Sequence, residues 1–194
     1  DNKKRVNVGF ALQILQRRLA SSPAAIYNSI KRRRIRLEKE LNEARIVARG
    51  KKVSESIQED FIDDEMIDNI EEYSQDDIEG IEEKISATAT TAETIEELEK
   101  EIETLKSLEK KSLVVLRSGQ DTKWLELNKI LDNNLMTDQQ GNRRKLIIFT
   151  EAKDTLNYLV EKIRTRIGKT EAVDFIHGGV LRGDRRQVIN RFMQ

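Results

Sequence analysis

Along most of this chain apolar residues recur at the three- and four-residue spacing of helices that face a core. Val8, Leu12, Leu15 and Leu19 form one stripe over residues 8–21, with Arg17 and Arg18 off it as a basic face turned to water. Ser22-Pro23 is a start signal, because Ser caps and Pro at the first helical position loses no needed N–H. A long helix is predicted over 23–48, striped by Tyr27, Ile30, Leu37, Leu41, Ala44 and Ala48, with Gly50 beyond it. Thr94 and Glu97 make a capping box for a second long helix, running to about residue 117 and stopping at Gly119. Ile95, Leu98, Ile102 and Leu105 advance by three, four and three, the seam of a coiled coil. The two helices are expected to form an antiparallel hairpin, supported at its base because two bare helices bury little. Asp121 opens a further helix with Trp124, Leu127, Ile130, Leu131 and Leu135, and 136–144 reads as a turn-rich link through Gly141-Asn142.

The period changes after residue 145. The run 146–149 is short, β-rich and bounded by charge, which suits a strand buried on both faces. Ala152, Leu156, Leu159, Val160, Ile163 and Ile167 restore the helical spacing, and Gly168 closes that helix. Residues 172–176 read as a second strand, and Val188, Ile189 and Phe192 mark a last helix. The expected fold is α/β but mostly helical: a long antiparallel hairpin plus an incomplete β-α-β-α with right-handed, parallel strands. Two strands are too few for a stable sheet, so further strands, another copy or another component is expected beside them.

Charge divides the chain. Lys and Arg number 35 and so do Asp and Glu, for a net charge of zero. Yet residues 1–52 hold fifteen basic and four acidic residues, and 55–83 hold fourteen acidic and no basic ones. Local fields therefore matter more than the total. Within 53–92, isolated Ile and Phe residues among the carboxylates allow short helices around 57–73, and 86–91 reads as a flexible linker. With no cysteine there is neither a disulfide nor a thiolate metal site. No apolar run is long enough to span a membrane and no signal peptide is visible, so a cytoplasmic location is expected. The first residue is not Met and the last helix is unfinished, which reads as a piece of a longer protein.

Four stretches invite chemistry. Lys31, Arg32, Arg33, Arg34 and Arg36 lie within two turns and reach around more than one helix face; a nucleic-acid phosphate backbone would satisfy them, as would the acidic segment folded back on them. Gly168-Lys169-Thr170 is no phosphate loop, because Ile163 stands where another Gly is needed and the order is helix to strand. Ile176-His177-Gly178-Gly179 follows a strand's carboxyl end, where open α/β sheets put their ligand crevice. His177 has no identifiable Ser or Cys partner and reads as a hydrogen-bonding turn residue, with no catalytic residue assigned. The acidic segment fails the spacing of a calcium loop, since counting from Gly80 puts Gln75 first and Ser86 last, and no metal site is assigned.

The ordered set Ile147-Ile148-Phe149-Thr150, Asp154-Thr155-Leu156-Tyr158-Leu159, Ile176-His177-Gly178-Gly179 and Asp184-Arg185-Arg186-Ile189-Arg191-Phe192 resembles the opening of the second RecA-like lobe of superfamily 2 helicases and translocases, above all the Swi/Snf-type branch with its bacterial members. The helix after Asp121 and the stretch 15–26 resemble that branch's connecting helices. The resemblance implies basic inter-lobe helices over 1–52, an acidic segment and coiled-coil-like insertion over 53–119, and the start of the second lobe over 120–194. It implies contact with a nucleic-acid backbone, duplex DNA in that branch, by Thr150, Lys153, His177, Gly178, Gly179 and Arg182; the charge run adds Arg32, Arg33, Arg34 and Arg36 as candidate phosphate contacts. ATP and Mg2+ belong to the parent enzyme, bound between this lobe and a first lobe. The phosphate loop, the Asp-Glu box and the arginine finger are all missing here, so this chain is expected to bind neither and to be inactive alone. A different reading is a non-enzymatic module whose hairpin docks a protein partner.

Overall fold

A computed structural model describes residues 2–48, 75–132, 136–142 and 144–194. Seven helices account for most of them: α1 (Asn2–Ser21), α2 (Pro23–Ala48), α3 (Gln75–Thr88), α4 (Ile95–Ser118), α5 (Thr122–Asp132), α6 (Lys153–Ile167) and α7 (Arg182–Met193). The short helices expected around 57–73 lie outside the described residues.

Capping chemistry sets the boundaries. Ser22 Oγ accepts the Ala25 N–H at 3.1 Å, and Pro23 is the first residue of α2. Thr94 and Glu97 cap each other reciprocally at the start of α4. Gly119 and Gly168 end α4 and α6 at φ 71°, a left-handed conformation that only glycine takes without strain.

The hairpin of α2 and α4 is antiparallel. Arg45 pairs with Glu99, Glu38 with Lys106 and Arg34 with Glu109, so one sequence rises as the other falls. Between them Ile30, Leu37 and Leu41 meet Leu98, Ile102 and Leu105, as the stripe and the seam require. Leu37 is 0 % exposed. Burying such a side chain stabilises by about 2–3 kcal/mol.

Helix α3 builds a second core. Ile81, Ile85 and Ala89 pack on Ala11 and Ile14 of α1, with Val8 and Phe10 at the margin. Two expectations change here. The buried face of α1 is Ala11, Ile14 and Arg18, one residue round from the expected stripe, and Leu12 and Leu19 are exposed. Small Ala11 lets α3 approach closely, and the carboxylates of α3 draw Arg18 inward. Residues 86–88 are helical rather than a linker, and Ser86 and Ala89 are buried against α2.

Helices α5 and α6 attach at the hairpin's base. Lys123 Nζ donates to Ala20 O at 2.5 Å, and Tyr158 Oη to Asp121 Oδ2 at 3.0 Å. Burial and that carboxylate push the Tyr158 phenol up. Lys162 lies over both Trp124 and Tyr158. Thr155 Oγ1 shares hydrogen bonds with Ser21 Oγ and Ser22 Oγ at 2.7 and 2.8 Å, which locks α6 to the α1–α2 joint.

The expected parallel strands are not formed among the described residues. Residues 144–150 and 173–177 have no regular secondary structure, and a single 3-10 turn, Thr170–Ala172, stands where the second strand was to begin. The physical reason is the shortage of neighbours: two isolated segments cannot satisfy a sheet's backbone groups or cover its faces. Leu146, Ile147, Ile148, Phe149, Phe175 and Ile176 are consequently exposed. What holds this part together is side-chain bonding. Arg164 donates to Val173 O at 2.9 Å, Arg191 pairs twice with Asp174 at 2.9 Å, and Lys145 Nζ donates to Phe192 O at 2.5 Å.

Candidate nucleic-acid interface

Residues 32, 33, 34 and 36 point in different directions around a helix. In the fold each meets a carboxylate of the same chain. Arg32 reaches Asp154 at 2.8 Å and Glu83 at 2.7 Å. Arg33, only 7 % exposed, donates to Ser86 O at 2.9 Å, Ala89 O at 2.5 Å and Glu101 at 2.6 Å. Arg34 lies between Glu109 and Glu38, and Arg36 faces Glu40 at 3.4 Å. The bond to Glu109 raises the Arg34 pKa against the opposing effect of burial. Burial works to lower that of Arg32, and Asp154 more than offsets it. Of these carboxylate partners only Glu83 belongs to the acidic segment 55–83; the others are Asp154 on α6 and carboxylates of the hairpin itself.

The start of α6 departs from expectation in a similar way. Ala152, not Thr150, holds the cap position, with no side-chain bond, and the Lys153 N–H that would be free for a phosphate is accepted by Glu79 Oε1 at 2.8 Å. A carboxylate at a helix N-terminus is favoured by the helix dipole. Glu79 also faces Arg18 at 3.4 Å. Glu82, nearly buried, pairs with Arg17 and Arg18, and Arg17 extends to Glu151 at 2.8 Å. This network surrounds a cavity of about 20 Å³. Arg18 is therefore a buried ion-pair residue rather than part of a solvated face. The missed signal was Ile78, Ile81, Ile85 and Ala89 at helical spacing, which sets Glu79, Glu82 and Glu83 beside the basic helices.

The glycine turn lies elsewhere. His177 O accepts the Val180 N–H at 3.1 Å, and His177 Nδ1 accepts the Gly179 N–H at 3.0 Å. The His177 ring stacks on Phe175, with centroids 6.1 Å apart and planes 15° from parallel. Gly178, Gly179, Arg182 and Lys153 are exposed. The fold thus joins His177, Gly178 and Gly179 in one turn ahead of Arg182 on α7. It joins Arg32 to the first turn of α6 through Asp154. Arg33, Arg34 and Arg36 belong to the hairpin.

Gly168-Lys169-Thr170 does not form a phosphate loop. Gly168 is a helix C-cap whose N–H donates to Arg164 O at 2.9 Å, and a 3-10 turn follows it where a phosphate loop would enter a helix. No cluster of three or more His, Cys, Asp or Glu suited to a metal occurs among the described residues, and none of their helices is long and apolar enough to cross a membrane. No family model, curated protein or solved structure matches the chain.

Proposed function

We propose that this chain is part of an ATP-driven nucleic-acid translocase of the Swi/Snf-like type, comprising inter-lobe helices, a charged helical insertion and the opening of the second RecA-like lobe. The observation that carries the reading is the exposure of residues 146–149 and 175–176 on either side of α6, with Phe149 at 92 %. Apolar, β-prone segments of this kind are what a parallel sheet buries on both faces. Neighbouring strands of a completed lobe would cover them and draw them into the parallel, right-handed β-α-β-α arrangement. Exposed Leu12 and Leu19 on α1 suit a helix that packs against a further lobe.

In this reading Thr150, Lys153, His177, Gly178, Gly179 and Arg182 hold the backbone of duplex DNA, and the hairpin arginines serve the internal framework. ATP and Mg2+ bind between this lobe and the first one, in the cytoplasm. The chain alone positions the lobe and hydrolyses no ATP. The test is a salt titration with duplex DNA. Retention that falls steeply with salt and ignores base sequence supports the reading. A self-contained hairpin with exposed Ile35, Ile46, Val47, Val114 and Val115 favours the second reading, a module that docks a protein. Loss of all DNA retention at low salt, with a protein partner still retained, would replace the first by the second.

A further inference from the structure

The arginines of α7 differ in what they touch. Arg182 and Arg186 are exposed, and Arg191 is committed to Asp174. Arg185 is half-buried and turns back on the loop before its own helix. Its Nε donates to Val180 O at 2.7 Å and its Nη2 donates to Gly178 O. One guanidinium thus takes two main-chain carbonyls of a turn whose two central residues are glycines. Such a turn has wide backbone freedom unless something fixes it.

The fixed turn has a consequence for His177. The Gly179 N–H donates to Nδ1, which selects the tautomer with its proton on Nε2. Phe175 stacks on the same ring, and Arg164 sits 5.7 Å from the Phe175 centroid while holding Val173 O. The ring's tautomer and tilt are therefore set by the turn, which the Val180 N–H to His177 O bond closes and Arg185 braces. What remains to meet an incoming anion is the Nε2–H donor.

We propose that Arg185 is a positioning residue: it clamps the Gly178 and Val180 carbonyls so that His177 presents its Nε2–H to a phosphodiester oxygen. This inference rests on the nucleic-acid reading above. It assigns Arg185 no contact with phosphate, although it is a cation beside a proposed backbone interface. A fork that meets two carbonyls at once is a task for guanidinium, and an ammonium cannot reproduce it.

The experiment measures duplex DNA affinity by fluorescence anisotropy across a salt series for the unaltered chain and for R185Q, R185K and R182Q. Long-range 1H–15N correlations read the His177 tautomer in the same proteins. R185Q should weaken binding about tenfold at every salt concentration, as loss of a charge-assisted hydrogen-bond pair implies, with the slope against log salt unchanged. R182Q should lower that slope by about one. R185K, which keeps the charge, should weaken binding nearly as much as R185Q. The tautomer should be Nε2–H in the unaltered chain and mixed in R185Q. A slope change in R185Q like that of R182Q would make Arg185 a phosphate ligand and overturn the positioning role. Unaltered affinity and tautomer in R185Q would overturn it too. If the unaltered chain does not bind DNA at all, the nucleic-acid reading falls and this role falls with it; the first two outcomes leave that reading standing.

Discussion

The hairpin and the C-terminal part draw on the same kind of sequence and end differently. In α2 and α4 the residues of the seam find one another within the chain, and each arginine from 32 to 36 finds a carboxylate. Around α6 the apolar segments find no sheet neighbour and are exposed. A helix satisfies its own backbone and needs only one covered face, so a pair of helices and a supporting base suffice. A strand depends on neighbours for its hydrogen bonds and, in a parallel sheet, for cover on two faces. The difference between the regions is therefore one of what each element demands.

The contrast can be broken first in the cores. Leu37→Ala should cost about 3–4 kcal/mol in urea unfolding followed by circular dichroism, because the cavity lies between two facing helices. Ile147→Ala, at a position 57 % exposed, should change stability by less than about 0.5 kcal/mol. Equal losses would erase the distinction. Arg33→Ala should cost about 3 kcal/mol, since it leaves two carbonyls unpaired in a buried place and takes the cation from half-buried Glu101. Thr94→Ala, which removes half of a capping box, should cost about 1 kcal/mol.

The smallest effects are titrations. Lys106 holds Glu38 below its ordinary value of 4.5, against burial and with help from Arg34. Its contribution is present above that value and is lost as pH falls through the lowered pKa. Burial lifts Glu40 above 4.5 in spite of Arg36, so the sign reverses: its contribution is present below 4.5 and is lost as pH rises through the raised pKa. Glu38→Gln should flatten the fall in stability on the acid side. Glu40→Gln should leave neutral-pH stability equal or slightly higher, and a loss there would contradict the assignment.

The hairpin was legible in the sequence because its signals are local. Ser22-Pro23, Thr94 with Glu97, Gly119 and the 3-4-3 seam each dictate a nearby backbone feature. The role of α3 was obscured by its carboxylates, which suggested a weak segment although Ile81 and Ile85 carry a core. The face of α1 was misjudged because Leu12 and Leu19 outweigh Ala11 in hydrophobicity, while docking of α3 favours the small residue. For the candidate interface, the sequence placed His177, Gly178 and Gly179 in a turn but could not show that Arg185 reaches back to it. Nor could it show that Glu79 occupies the first N–H of α6, a contact between residues 74 positions apart.

The most direct test of the central claim is amide hydrogen exchange, resolved by residue, on the unaltered chain. The account predicts protection approaching the global unfolding free energy at Leu37, Leu41, Ile102 and Leu105, and little or none at Ile147, Ile148, Phe149 and Phe175. Protection at residues 146–149 and 173–176 equal to that of the hairpin would mean that these segments already have their neighbours, and would contradict the reading of an uncovered lobe.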